Sequence, residues 1–351
     1  MDVLLSRRRR ALLAGAVGAA ALAAWNRSAP TGALHMSGET MGTSYNVKIA
    51  GHRIDDEARS ALHEAVHAAF DRVNRGMSLY RADSELARFN RQQADTAFAM
   101  SSEMFDVFAA AMSVSELTGG AFDVTVAPLV ASWGFGPDRR QAIPSPDALR
   151  AQRAAVDFRA LRLDAAERTV TKSRLPLTAD LNGIAKGYGV DLAARALEVR
   201  GIDNYLVEAG GEVRARGVNA DGRPWQIGIE QPDSVPQRAR YISPVVNGAV
   251  ATSGDYRIFI ERDGRRYCHE IDPVRGTPIE HGLASVSVVA SDCVRADALA
   301  TALIVLGLEH GYALAESRGI AAYFIQRRDG GLQDRMTTAF AALGGQRATE
   351  G

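Results

Sequence analysis

A glycine-rich stretch, residues 178–191, restricts the folding of this chain more than any other and reads TADLNGIAKGYGVD. It follows a strand-like run, Leu175 to Leu177, and it precedes an Ala- and Leu-rich helix that Gly201 is predicted to end. Free N–H groups at such a junction attract anions, and glycine lets a ligand approach the main chain closely. Lys186 adds a mobile positive charge, and Asp180 adds a hydrogen-bond acceptor. The stretch therefore predicts a phosphate site; a solvated helix start is the alternative interpretation.

The composition excludes a role based on overall charge. The 351 residues include 41 basic and 41 acidic side chains, so the formal net charge is zero and no global field draws the protein to nucleic acid. The length suits one large domain or two modest ones. Two cysteines, Cys268 and Cys293, are too few to staple a fold of this size, and the sequence leaves their pairing open.

The N-terminal segment has the pattern of an export signal. The basic residues in SRRRRALL, at positions 6–13, precede an apolar run that continues to residue 24, as is typical of a twin-arginine signal. We predict a signal segment over residues 1–28, a mature domain over residues 29–351 and a periplasmic location. An uncleaved segment retained at the inner membrane is the alternative, and it would be the protein's membrane contact.

Hydrophobic periodicity predicts a mixture of helices and short strands. Apolar residues recur at helical spacing within residues 56–76 and 101–118, whereas alternation predicts strands at 45–49, 225–230 and 284–290. Because strict strand–helix–strand repetition is lacking, we predict an α+β fold with largely antiparallel sheets and flanking helices.

A carboxylate and a hydroxyl are predicted to share one face of a helix near the C-terminal end. Asp297 and Thr301 are four residues apart within the helical segment VRADALATAL, and their neighbours are small and apolar. A carboxylate in such surroundings is costly unless it is paired or bound to a metal. Together with a backbone carbonyl, the two side chains suit Mg²⁺; a capping Asp and a Thr bonded to its own turn are the alternative.

Several further motifs resemble those of one family. Besides DLNGIAKGY in the glycine-rich stretch, the chain contains GGAFDVTVAPLV and WGFG before residue 137, GAVATSGDY at 248–256, HEIDP at 269–273 and ADALATA at 296–302. These segments resemble the signature elements of the ApbE family of FAD:protein FMN transferases, from Met41 to about Leu308. Two positions depart from the family pattern: Glu208 replaces a common Asn, and Glu270 replaces an aliphatic residue.

The resemblance implies a single two-lobed domain with FAD in a cleft between the lobes. It implies that Asp297, Thr301 and the Gly183 carbonyl bind Mg²⁺, although Mn²⁺ accepts the same ligands. The residues that it assigns to the flavin nucleotide are Met41, Tyr80, Ala121, Phe122, Asp123, Asp180, Lys186 and Ile271.

The reaction implied by the resemblance is Mg²⁺-dependent transfer of FMN from FAD to a Thr or Ser of a target redox protein, with release of AMP. Acceptors in the family include subunits of electron-transfer complexes and regulators of nitrous-oxide reduction. His269 is the natural proton acceptor, since imidazole titrates near neutral pH. Asp272, three residues on, would orient His269 or act itself. Hydrolysis of FAD to FMN and AMP, or flavin carriage without turnover, remain the alternatives.

Overall fold

The structure, a computed structural model, describes residues 33–137, 143–262 and 264–348. The predicted export signal and the start of the mature domain at residue 29 lie outside these residues, and both stay predictions. The described strands are β1 (Leu34–Thr40), β2 (Thr43–Ile49), β3 (Ala97–Ala99), β4 (Leu161–Asp164), β5 (Thr169–Lys172), β6 (Tyr205–Ala209), β7 (Glu212–Arg216), β8 (Trp225–Glu230), β9 (Ala239–Val245), β10 (Gly248–Gly254), β11 (Phe259–Arg262), β12 (Arg265–Cys268), β13 (Ile271–Asp272), β14 (Thr277–Pro278), β15 (Leu283–Ala290), β16 (Ala321–Arg328), β17 (Gly331–Met336) and β18 (Gln346–Arg347).

Eight strands form the central sheet, in the order β1-β2-β6-β7-β10-β15-β16-β17. Every neighbouring pair in this sheet is antiparallel. Two three-stranded sheets (β18-β9-β8 and β3-β5-β4) and two hairpins (β11-β12 and β13-β14) complete the described β structure. The antiparallel α+β prediction is therefore confirmed.

The helices flank the central sheet and meet in a shared core. The described α-helices are α1 (Asp56–Met77), α2 (Glu85–Arg91), α3 (Ser102–Leu117), α4 (Ala127–Ser132), α5 (Pro146–Ala154), α6 (Ala185–Glu198), α7 (Cys293–Ser317) and α8 (Thr338–Ala341). Helix α7 packs on β10, β15 and β16, and α6 packs between α1 and α7. This arrangement brings the N-terminal turns of α6 and α7 together.

Local sequence accounts for the helix boundaries. Helix α1 begins after Asp55, whose side chain accepts a hydrogen bond from the Ala58 N–H, and it buries Leu62, Val66 and other apolar residues along one face. Helix α7 is long and apolar enough to cross a membrane, but more than half of its most apolar window is buried in the protein. We therefore interpret α7 as a core helix.

Two details of the sequence prediction need correction. Leu175 to Leu177 form no strand: β5 ends at Lys172, and Pro176 has no N–H to donate to a ladder. Helix α6 begins at Ala185, inside the glycine-rich stretch, rather than after it. Cys268 and Cys293 are both buried free thiols.

Candidate functional site

A cavity of about 1160 Å³ opens beside the N-terminal turns of α6 and α7. Twelve of the thirteen site residues predicted from the sequence line it, and Asp272 is the exception. Those twelve are Met41, Tyr80, Ala121, Phe122, Asp123, Asp180, Gly183, Lys186, His269, Ile271, Asp297 and Thr301. The main cavity is hereafter called the cleft.

The predicted metal ligands converge from distant parts of the chain. Asp297 is only 3% exposed, and its Oδ2 accepts a hydrogen bond of 2.9 Å from the Gly187 N–H. Thr301, one turn further along α7, has its Oγ1 3.1 Å from Ser253 Oγ. A methyl group on Gly183 would lie 3.2 Å from Thr301 Oγ1, which shows how closely the loop before α6 approaches α7.

The oxygen atoms of Asp297, Thr301 and Gly183 are ligands that suit a hard divalent cation. Within residues 33–137, 143–262 and 264–348, no three His, Cys, Asp or Glu side chains converge in a metal-binding group. A cation here would instead have one carboxylate, one hydroxyl and one backbone carbonyl, with its remaining positions open to water or phosphate oxygens. Mg²⁺ prefers such a sparse set of oxygen ligands.

Lys186 is placed between two buried carboxylates. Its Nζ lies 2.7 Å from Glu212 Oε1 and 3.8 Å from Asp297 Oδ1. Although burial opposes a charged ammonium, Asp297 and Glu212 raise the pKa of Lys186 above its ordinary value. Burial raises the pKa of Asp297, and Lys186 and the Gly187 N–H oppose this shift. Burial also raises the pKa of Glu212, to about 7, so ionisation of both carboxylates leaves an excess of negative charge that a bound cation would neutralise.

The turn between β1 and β2 projects Met41 into the cleft. Met41 has a φ of +46° and Gly42 a φ of +76°, and Thr40 pairs directly with Thr43. Two residues with positive φ are the geometry of a tight hairpin turn, but methionine adopts it rarely. The unusual backbone at Met41 is consistent with a placement that serves the cleft rather than the turn alone.

Two polar side chains fix the walls of the cleft from behind. The Asp123 carboxylate accepts hydrogen bonds from the Thr125 N–H (2.8 Å) and hydroxyl (2.6 Å) and from the Phe158 N–H (2.9 Å). Asn90 forms two hydrogen bonds with the main chain of Ala179, at 2.7 and 2.9 Å, and so holds the loop that presents Asp180. The Asp123 carboxylate is thus occupied by hydrogen bonds within the protein, although Asp123 lines the cleft.

His269 lies at the end of the β11-β12 hairpin and faces the cleft. Its Nδ1 is 3.2 Å from the Ile258 carbonyl, and its Nε2 is 3.7 Å from Glu270 Oε1. Asp272, which we predicted to orient His269, caps its own turn: its Oδ1 accepts hydrogen bonds from the N–H groups of Val274 and Arg275. It lines a second cavity of about 230 Å³. Asp272 therefore holds the turn, and Glu270 is the carboxylate beside His269.

Sequence reasoning did not assign Glu212 and Glu270 to the site. Both are buried carboxylates that line the cleft. Glu212 Oε2 has no hydrogen-bond partner among the described residues. The sequence shows that Glu212 directly follows the Gly210-Gly211 turn, which was a usable signal for a site residue. It does not show that Glu212 lies beside Lys186.

The contact between α6 and α7 leads to a first prediction. A methyl group at Gly187 would overlap the Cys293 carbonyl oxygen and would lie 2.8 Å from Asp297 Cβ. We expect Gly187→Ala to separate the two helices, to lower the free energy of unfolding by about 1–3 kcal/mol and to weaken Mg²⁺ binding. Urea unfolding and calorimetric Mg²⁺ titration measure these effects.

Gly76→Ala is the matched control for Gly187→Ala. Gly76 lies in the last turns of α1, and a methyl group there would meet nothing within 4 Å. We expect this variant to be more stable than the wild type by up to about 1 kcal/mol. Unchanged Mg²⁺ affinity in Gly187→Ala would contradict the close packing of the two helices at the site.

The protein thus combines an antiparallel α+β fold with a large cleft whose residues suit a hard cation and an anionic ligand. Residues 41–324 match the sequence pattern of the ApbE family, and the chain belongs to that family. An FAD:protein FMN transferase of Vibrio cholerae is 44% identical over 314 residues, which cover 89% of this chain and 92% of the relative. One from Haemophilus influenzae is 42% identical over 322 residues, with coverage of 89% and 92%. The solved structure of the flavin transferase ApbE from Vibrio cholerae superposes with a TM-score of 0.81 at 42% identity, covering 89% of this chain and 99% of that one.

Proposed function

We propose that the protein is an FAD:protein FMN transferase that moves FMN from FAD to a Ser or Thr hydroxyl of an acceptor protein. The observation that carries this proposal is the convergence of Asp297, Thr301 and Gly183 beside Lys186 at one end of the cleft. Relatives at 42–44% identity bear that name over nearly their whole length. In the reaction, the acceptor oxygen bonds to the FMN phosphorus, the bond from that phosphorus to the bridging oxygen breaks, and AMP leaves.

The cation proposed for this reaction is Mg²⁺. Asp297, Thr301 and the Gly183 carbonyl would hold it, and when bound it supplies charge neutralisation and alignment at the pyrophosphate. Lys186 adds a positive charge beside the same phosphates. Chelation with EDTA, followed by titration with Mg²⁺ or Mn²⁺, tests the metal requirement.

The remaining residues of the cleft would bind the flavin nucleotide and exclude water from it. Tyr80 lies at the mouth with 62% of its surface exposed, so its ring is free to stack on a flat ligand. Ala121 and Phe122 contribute a buried wall, and Asp180 lies near His269. We propose that Met41 and Ile271 complete the flavin site, together with the main chain at Asp123.

A proton must leave the acceptor hydroxyl as its oxygen attacks. His269 is the residue proposed to accept it, because it lines the cleft and its Nδ1, not its Nε2, lies against the Ile258 carbonyl. The donor role of Nδ1–H toward that carbonyl leaves the Nε2 lone pair available.

A second prediction follows for His269. We expect His269→Ala to slow FMN transfer by about 100- to 1000-fold, because proton transfer by a positioned side chain contributes on that scale. The measurement is in-gel flavin fluorescence of a candidate acceptor domain incubated with the enzyme, FAD and Mg²⁺. His67→Ala is the control, since His67 is exposed on α1 away from the cleft; equal rates in the two variants would contradict the assignment.

The same assay separates the proposed function from its alternatives. A fluorescent acceptor band that is lost when the acceptor's Ser or Thr is replaced by Ala supports transfer. Free FMN and AMP without such a band support hydrolysis of FAD, and bound but unchanged FAD supports a carrier. The Asp297 and Thr301 pair favours turnover over simple carriage, because a carrier needs no cation at the pyrophosphate.

We further propose that the protein is exported to the periplasm by the twin-arginine route. The support is the sequence SRRRRALL and the apolar run that follows it. Fractionation of cells with and without a functional twin-arginine translocase tests this proposal. Replacing Arg7 and Arg8 by Lys is expected to retain the protein in the cytoplasm.

A further inference from the structure

We propose that Glu270 is a positioning residue for the transfer: its carboxylate stabilises His269 when that ring carries the proton taken from the acceptor hydroxyl. This role rests on the function proposed above. Glu270 is 7% exposed, it lines the cleft, and its Oε1 lies 3.7 Å from His269 Nε2.

The orientation of the His269 ring indicates that Nε2, rather than Nδ1, is the atom that pairs with Glu270. The main-chain N–H of His269 donates to the Ile258 carbonyl at 3.1 Å, and Nδ1 lies 3.2 Å from the same oxygen. Phe135 packs edge-on against the ring, with 6.4 Å between ring centroids. With Nδ1 directed at a carbonyl, Nε2 is the atom that gains and loses a proton, and a carboxylate lies next to it.

The other charged groups around this pair do not supply the same partner. His269, Lys186, Asp297 and Asp255 face Glu270, and both Asp180 and Glu270 face His269. Asp180 Oδ1 already accepts a hydrogen bond from the Asn182 N–H at 2.8 Å.

The environment of Glu270 shows why a simple packing role does not explain it. Burial raises the pKa of Glu270, and the carboxylates of Asp297 and Asp255 raise it further, while His269 and Lys186 oppose the shift. A buried carboxylate is costly unless it gains a partner. Protonation of His269 supplies that partner at the moment when the acceptor hydroxyl loses its proton.

The test uses the pH dependence of transfer in Glu270→Gln and Glu270→Leu. The carboxylate favours the protonated ring, so in both variants the neutral ring should persist to lower pH. We expect the rising limb of the kcat/KM profile to move to lower pH, because an opposite charge 3.7 Å from Nε2 is lost. The KM for FAD should change by less than about twofold, because Glu270 acts through His269.

A structural role predicts a different result. It would lower the Tm, change kcat and KM together and leave the pH profile in place. Glu270→Leu keeps an apolar side chain in a buried position and should melt at or above the wild-type temperature, so it remains testable if Glu270→Gln folds poorly. An unmoved rising limb in both variants overturns the proposal.

A second readout does not depend on flavin transfer. Diethyl pyrocarbonate reacts with neutral imidazole, and peptide mass spectrometry isolates the modification of His269 from that of the other histidines. We expect the midpoint of His269 modification against pH to fall in Glu270→Gln, because the carboxylate 3.7 Å from Nε2 is removed. A shifted midpoint in a protein that transfers no flavin supports the pairing and contradicts the proposed function; an unshifted midpoint in an active transferase overturns the pairing alone.

Discussion

Asp297→Asn is expected to reduce FMN transfer by at least about 1000-fold, the largest effect of any single substitution in the cleft. The amide keeps an oxygen that accepts the hydrogen bond from the Gly187 N–H, so the packing of α6 against α7 is preserved. It removes the charge that a divalent cation needs, and it leaves Thr301 and the Gly183 carbonyl as neutral ligands. The expected loss is therefore chemical rather than structural.

Two measurements separate loss of metal binding from loss of stability in Asp297→Asn. Calorimetric titration with Mg²⁺ should show no saturable binding in Asp297→Asn, and the melting temperature should stay within a few degrees of the wild type. Thr301→Ser and Thr301→Val form a matched pair on the same face of α7: the serine variant keeps the hydroxyl ligand, and the valine variant keeps the shape without it. Wild-type Mg²⁺ dependence in Asp297→Asn would remove the metal assignment.

The parts of the fold that the sequence predicted depend on short-range patterns. Helix α1 was predicted because Leu62, Val66 and Phe70 recur at helical spacing, and they are buried as that spacing requires. Strand β8 was predicted because its residues alternate, and its side chains are buried and exposed in turn. Such patterns indicate which face of a helix or strand packs against the core. They can be identified without knowing which element packs against that face.

Contacts between distant segments were not predictable in this way. Gly187 donates to Asp297 across 110 positions of sequence, and Lys186 pairs with Glu212 across 26. Helical spacing placed Asp297 and Thr301 on one face of a helix, but only the family resemblance added Gly183, more than 100 positions away, as the third ligand. Glu212 was not assigned to the site from the sequence, and only the three-dimensional arrangement connects it with Lys186.

The neighbourhood of His269 shows a related limit of spacing arguments. Asp272 is three residues from His269, and its chemistry suits an orienting role, yet its carboxylate is occupied by the N–H groups of the following turn. An Asp followed by Pro and Gly in a short turn often accepts such local hydrogen bonds, and that competing role was readable from the sequence. Glu270, which follows His269 directly in the sequence, is the carboxylate that lies 3.7 Å from its Nε2.

Lys186→Met is expected to combine loss of stability with loss of activity. It leaves Glu212 and Asp297 buried without the ammonium that contacts both. Breaking a buried ion pair costs about 3–5 kcal/mol; since 32% of the Lys186 side chain is exposed, we expect about 2–3 kcal/mol here. Transfer should fall by about 100-fold or more, because a positive charge beside the phosphates is removed. Urea unfolding and the in-gel transfer assay measure the two losses.

The double variant Lys186→Met/Glu212→Gln distinguishes the structural part of this effect from the catalytic part. Removing both partners of a buried pair is often nearly neutral, so the double variant should recover most of the lost stability while its transfer rate stays low. Added Mg²⁺ should raise the melting temperature of Lys186→Met more than that of the wild type, because a cation can then neutralise both carboxylates. If Lys186→Met is as stable as the wild type without Mg²⁺, the two carboxylates do not depend on the ammonium, and the excess negative charge inferred for this end of the cleft is absent.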